Sequence, residues 1–245
     1  VGSEMCIRDS TYRPSNVSYF AFARHALVEA LRQSGVSNGD HVALPGFICR
    51  DVLASIHVLG ASPIFYDVDE SLRTKSLDRL PTVKAIIAVN YFGFPQDLEP
   101  FREYCSKTSA TLIEDNAHGL FSRDDRGELL GTRGDFGVLS LRKTFHVATG
   151  AALLARQGSG ISMPCIERTE GAHALRYALS RLERRTGIPA LAGMRSLIRI
   201  ARRLAGRPEI ETGSPEDETV LPSAMAIGCR SLARLNDQDL SLIHI

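Results

Sequence analysis

Residues 85–115, AIIAVNYFGFPQDLEPFREYCSKTSATLIED, decide the fold. Ala85 to Val89 is an unbroken apolar run, the pattern of a strand buried on both faces. Leu98 to Thr108 has a helical pattern, and Thr111-Leu112-Ile113 is a second apolar strand that ends at Glu114-Asp115. A strand, a helix and a strand in succession form a crossover between parallel neighbours. Ligands of such sheets sit just beyond the carboxyl ends of the strands. That rule points to Tyr91-Phe92-Gly93, to Asp115-Asn116-Ala117-His118 and to the loop after Ser140.

The alternation continues outward in both directions. Towards the N-terminus, His41 to Leu44 is a short strand closed by Pro45, Val52 to Leu59 a helix closed by Gly60, and Pro63 to Tyr66 a strand. Val17 to Ser34 is expected to be one helix, with Phe20, Ala23, Ala26, Leu27, Ala30 and Leu31 on one face and Gly35 as its stop. Towards the C-terminus, Phe136 to Ser140 and Ala151 to Ala155 are further strand candidates. The expected fold is therefore α/β, a mostly parallel sheet covered by helices on both faces.

The character changes after Gly158. Residues 172–206 look helical and carry many arginines, among them Arg176, Arg181, Arg195 and Arg203. They lack interleaved aromatic residues, so a solvated face or an anion-binding rim is expected rather than a nucleic-acid surface. An acidic, Pro-containing stretch follows, and Pro222 to Asn236 starts another helix. The expected organisation is a large domain over 11–208, a linker over 209–221 and the start of a truncated small domain over 222–239.

Two terminal strings stand apart. Met5 to Ser10 can be written ATG TGT ATA AGA GAC AG, and Leu240 to Ile245 can be written CTG TCT CTT ATA CAC ATC. The strings are reverse complements and match a transposon end used in preparing sequencing libraries. Residues 1–10 and 240–245 are therefore expected to be non-native adapter translation and are set aside.

Composition narrows the function classes. Of 245 residues, 44% are hydrophobic and 23% charged, which suits a folded globular chain rather than a disordered one. A formal net charge of +1 gives no global pull towards nucleic acid or membrane. No apolar run approaches the roughly 20 residues of a membrane span. The five cysteines include no CxxC pair, which favours a reducing cytoplasm over a disulfide framework or zinc site. Gly131-Thr132-Arg133-Gly134 is too short and wrongly placed for a dinucleotide loop.

Three pieces in order carry the chemistry: Glu114-Asp115-Asn116-Ala117-His118-Gly119, Gly134-Asp135-Phe136-Gly137 and Ser140-Leu141-Arg142-Lys143. With Gly39 to Pro45, Gly60-Ala61-Ser62-Pro63 and Tyr91-Phe92-Gly93-Phe94-Pro95, the chain resembles the DegT/DnrJ/EryC1/StrS aminotransferases from about Phe20 to Leu154. Members of that family are pyridoxal phosphate enzymes that aminate keto sugars carried on nucleotides. The resemblance implies the type I aminotransferase fold, a three-layer sandwich. It also implies an amino-acid donor such as glutamate, and a homodimer.

Residue by residue, the resemblance makes Lys143 the lysine that forms a Schiff base with the cofactor and then moves protons at the substrate carbon. Asp115 matches the anion that keeps the pyridine nitrogen protonated. His118 matches the residue that packs on the cofactor ring, and Ser140 a phosphate ligand. The Ala23-Arg24 step matches the place where the family usually has Gly-Thr before a helix, whose N–H groups hold phosphate. Tyr91 falls where substrate would sit. The residues also admit plainer roles: a turn cap for Asp115, structural hydrogen bonding for His118 and Ser140, packing for Tyr91 and a solvated position for Arg24. Two other activities stay open. A related sugar dehydratase replaces the lysine with histidine; Lys143 speaks against it, although His146 is near. A non-catalytic regulator on the same scaffold would fit Arg24 and Ala151-Ala152, which stand where relatives have threonine and a glycine pair.

Overall fold

The structure, a computed structural model, describes residues 17–145 and 150–156. The Arg-rich segment, the linker, the small-domain start, both terminal strings and His146 lie outside the described residues. Among the described residues there are seven strands: β1 (Val17–Phe20), β2 (His41–Pro45), β3 (Ser62–Tyr66), β4 (Ala85–Val89), β5 (Thr111–Asn116), β6 (Phe136–Leu139) and β7 (Ala151–Ala155). The helices are α1 (Ala23–Gln33), α2 (Arg50–His57), α3 (Glu99–Thr108) and the short α4 (Leu141–Thr144), with a 3-10 turn over Tyr91–Gly93.

One sheet runs in the order β1-β7-β6-β5-β4-β2-β3. Strands β3, β2, β4, β5 and β6 are mutually parallel, and β7 and β1 each run antiparallel to the neighbour before them. Alternate residues of β4 explain the layering. Ala85, Ile87 and Val89 join a core with Ala26, Leu27, Leu31 and Ile56 of α1 and α2. Ile86 and Ala88 join a second core with Phe101 and Tyr104 of α3. The sheet is thus sandwiched between α1 and α2 on one face and α3 on the other. Ile86, Ile87 and Ile113 are fully buried, each contributing about 1.5–3 kcal/mol relative to an exposed position.

One expectation fails. Val17 to Phe20 is not the first turn of a helix but the edge strand β1, paired with β7 from Val17 opposite Leu154 to Phe20 opposite Ala151. Ser18 and Phe20 are buried while Val17 and Tyr19 are partly exposed, which is the two-residue period of a strand. Phe20 fits a helical face and a strand face equally, so spacing alone misassigns it. The backbone is still extended at Phe22, and α1 begins only at Ala23. The other elements start or stop within a few residues of expectation. Strand β5 runs on through Glu114, Asp115 and Asn116, which puts both carboxylates inside the sheet.

Candidate active site

The carboxyl ends of β2, β4, β5 and β6 and the N-terminus of α1 enclose a cleft of about 390 Å³, a size typical of small-molecule sites. Every residue assigned from the sequence lines it: Ala23, Arg24, Tyr91, Asp115, His118, Ser140 and Lys143. So do Phe47, Ile48, Cys49, Asp51, Phe92 and Arg142, which the sequence reading did not assign. The contributors come from four strand ends because β2 has β3 on one side and β4 on the other, the kind of switch point at which crossover loops diverge and leave a crevice.

Asp115 lies in β5 between Val89 of β4 and Val138 of β6. Its Oδ1 accepts a hydrogen bond from the Ala117 N–H at 3.0 Å. Burial among these apolar neighbours pushes the carboxyl above its ordinary range; the Ala117 N–H and the positive charges of Lys143 and His118 oppose that push. The chain then turns sharply. Asn116 Nδ2 donates to the carbonyls of Gly119 (2.7 Å) and Leu130 (2.9 Å), which fixes the turn that carries His118.

Lys143 is on α4, whose N-terminal flank is the buried Ser140. Its Nζ lies 2.9 Å from His118 Nε2. Burial and the Lys143 charge hold the imidazole below its ordinary pKa, against the opposing pull of Asp115. The neutral ring can accept from the lysine when its proton is on Nδ1.

At the other end of the cleft, α1 starts without a side-chain cap, and the N–H groups of a first helical turn are a natural anion seat. Arg24 Nη1 is 3.5 Å from Asp51 Oδ2, a partly exposed ion pair. The guanidinium groups of Arg24 and Arg142 lie 4.6 and 5.2 Å from the Phe22 ring centre. Ser55 Oγ donates to the Arg24 carbonyl at 3.0 Å, tying α2 to this end. Two guanidiniums, a helix N-terminus and Ser140 give this end positive and hydrogen-bonding character.

Tyr91 is buried, and its hydroxyl donates to the Phe47 carbonyl at 2.6 Å. Burial and the nearby Asp115 carboxylate push the phenol up to about 12. Its ring lines the cleft while its hydroxyl is committed to the β2 loop. Phe92, next in sequence, is 67% exposed and stacks on His118, with ring centres 6.0 Å apart. The sequence held a signal for it, since Phe92 sits inside the Tyr91-Phe92-Gly93 motif at a strand end.

Behind the cleft lies a second polar group that the sequence reading also missed. Glu114 is fully buried. Its carboxylate accepts from Arg133 N, Nε and Nη2 at 3.0, 2.9 and 2.6 Å, and from Asn90 Nδ2 at 2.8 Å. Asn90 Oδ1 in turn accepts from Arg133 Nη2 (3.1 Å) and from the Gln96 N–H (2.9 Å). The adjacent Glu114-Asp115 pair was the available signal.

These groups fit pyridoxal phosphate. A lysine amine, a buried carboxylate, an imidazole beside the lysine and a helix N-terminus are the groups that would serve the aldehyde, ring nitrogen, ring face and phosphate of that molecule. Among the described residues no cluster of three His, Cys, Asp or Glu side chains could hold a metal ion.

The chain is 32% identical over 130 residues to GDP-perosamine synthase of Escherichia coli O157:H7, covering 51% of this chain and 35% of that protein. It is 31% identical over 120 residues to UDP-N-acetyl-3-dehydro-alpha-D-glucosamine 3-aminotransferase of Acidithiobacillus ferrooxidans, covering 47% and 32%. The crystal structure of the aminotransferase TlmJ from Streptoalloteichus hindustanus superposes with a TM-score of 0.52 at 29% identity, covering 58% of this chain and 41% of that one. The matched region spans about a third of each curated relative. The family profile itself matches residues 19–156, more than half of the chain, which therefore belongs to the DegT/DnrJ/EryC1/StrS aminotransferase family.

Proposed function

We propose that this chain is the cofactor-holding part of a pyridoxal phosphate aminotransferase that aminates a keto sugar carried on a nucleotide. The observation that carries the reading is the placement of Lys143, His118 and Asp115 on one cleft at the strand ends of the sheet. Two curated relatives are named for work on GDP- and UDP-linked amino sugars, which supports the substrate class.

Each side chain has a physical task. Lys143 would hold the cofactor covalently through its amine and would serve as base and acid at the substrate carbon. His118 Nε2 lies 2.9 Å from the lysine amine and, with its proton on Nδ1, accepts from it and sets its direction. Asp115, in its apolar row between Val89 and Val138, would pair with the cofactor's pyridine nitrogen, and a positive partner there would draw the carboxyl back towards its charged form. The α1 N-terminus, with Ser140 and Arg24, holds the phosphate. Tyr91 forms the floor beside Asp115 and shapes the substrate end of the cleft. Pyridoxal phosphate, when bound, supplies an aldehyde and an electron-withdrawing ring. The amino donor is glutamate, the working unit is a homodimer and the compartment is the cytoplasm. No helix among the described residues is long and apolar enough to cross a membrane.

The test is an absorbance spectrum of the full chain with pyridoxal phosphate, beside Lys143→Ala. A visible band that disappears in the variant and bleaches on adding glutamate is expected. A band that survives the substitution, or no band at all, removes the lysine from the reaction and the proposal with it.

A further inference from the structure

Phe92 combines two features that a surface turn normally avoids. Its backbone is left-handed, with φ 55° and ψ 16°, a conformation that glycine or asparagine adopts at much lower cost. Its aromatic ring is also 67% exposed. Phe92 thus combines a backbone conformation that is costly for a side chain of its size with an exposed ring.

What it touches is His118: the two rings are 16° from parallel with centres 6.0 Å apart. The surroundings are built to keep them together. Gly93, at φ 84°, and Gly119 let the two turns meet backbone to backbone; a Cβ on Gly93 would lie 3.1 Å from the Gly119 Cα, and one on Gly119 would lie 2.8 Å from the Gly93 Cα. The turn is pinned on both sides of Phe92. Asn90 is locked into the Glu114–Arg133 cluster, and its N–H bonds the Asp115 carbonyl at 2.9 Å. Tyr91 is buried and tied to Phe47. The N–H groups of Gly93 and Phe94 close the turn onto the carbonyls of Asn90 and Tyr91.

We propose that Phe92 is a positioning residue: its ring, near-parallel to His118 with centres 6.0 Å apart, restricts the imidazole to the orientation in which Nε2 lies 2.9 Å from Lys143. The proposal rests on the pyridoxal phosphate reading for its consequence, but not for its geometry. Burial lowers the His118 pKa, and the charges acting on the ring are Lys143 of α4 and Asp115 of β5. Removing Phe92 therefore has two signatures. The lysine loses its fixed direction, and His118, already partly open to solvent, gains further water on the side of Phe92.

The experiment uses the full chain and three variants. Phe92→Asn keeps the left-handed backbone and removes the ring, Phe92→Leu keeps apolar bulk without a planar face, and Phe92→Tyr keeps the ring. Two quantities are read: the rate at which the lysine-dependent absorbance band forms on mixing with pyridoxal phosphate, and the His118 titration midpoint by NMR. In Phe92→Asn and Phe92→Leu, band formation is expected to slow about tenfold, the scale of a small misplacement of a reacting group, and the His118 midpoint to move up towards its ordinary value. Phe92→Tyr restores both. Unchanged rates and midpoints in Phe92→Asn and Phe92→Leu overturn the proposal. So does a Phe92→Tyr variant that behaves like Phe92→Asn. If the unsubstituted chain forms no lysine-dependent band, the cofactor reading falls by itself, and the NMR midpoints alone then decide whether Phe92 holds His118.

Discussion

Glu114 and Asp115 are neighbours on one strand, yet they lead different lives. Strand alternation turns Glu114 towards the α3 side, where Arg133 and Asn90 supply four hydrogen bonds to its carboxylate. Asp115 faces the cleft, between Val89 and Val138, with one backbone N–H from Ala117. The first carboxylate is fully satisfied and holds loops together. The second is short of partners and raised in pKa by burial, a state that a cationic ligand relieves. One residue of register separates a structural clamp from a cleft-lining carboxyl, because successive side chains leave a strand on opposite faces.

That contrast is open to measurement. The largest effect is expected at the clamp. Glu114→Ala leaves the nearly buried Arg133 guanidinium with its main partner gone, and should cost about 3–5 kcal/mol, the range for breaking one side of a buried ion pair. Denaturant unfolding measures it, and a loss under about 1 kcal/mol would show that water reaches Arg133 and that the clamp is not dry. Asn90→Ala comes next. It strips one donor from Glu114 and one acceptor from the buried Gln96 N–H, for an expected loss of about 1–3 kcal/mol.

The sign reverses at the cleft. Asp115→Asn should leave the ligand-free chain as stable as before or slightly more so, while pyridoxal phosphate binding weakens. The pH dependence of the parent follows. A carboxyl whose folded pKa is raised holds its proton longer when folded, so its contribution is fully present below the ordinary value of 3.8 and is lost as pH rises through the raised one. The Asn variant lacks that decline. Equal destabilisation by Asp115→Asn and Glu114→Ala, measured side by side, would erase the distinction between the two carboxylates.

The smallest effect concerns His118. Its folded pKa is lowered, so the stability it confers is present above the ordinary value of 6.5 and lost as pH falls through the lowered value. His118→Gln should flatten that slightly acidic limb of the stability curve, read as thermal midpoints against pH. The exposure of the ring keeps the effect slight. An unchanged limb would place His118 in water and away from Lys143.

Most of the parallel sheet was legible in the sequence, from β2 through β6, because unbroken apolar runs such as Ala85 to Val89 are local statements about burial. The carboxyl-end rule then located the cleft, and all of Ala23, Arg24, Tyr91, Asp115, His118, Ser140 and Lys143 line it. The edge strand β1 was not legible. Its four residues carry a pattern that a helix shares, and only pairing with β7, more than a hundred residues away, decides between them. The clamp was equally hidden, since Asn90, Glu114 and Arg133 come from separate segments and nothing in their spacing announces a meeting.

What the sequence by itself determined, then, is the alternation of strands and helices and the ordered motif set ending at Lys143, because both are written in residues close together along the chain. What only the tertiary structure decided is which side of β5 each carboxylate faces, that Lys143 reaches His118, and that Phe92 is held against that imidazole. Those outcomes depend on strand register and on two glycine turns meeting in space, and register is a property of paired segments rather than of either segment alone.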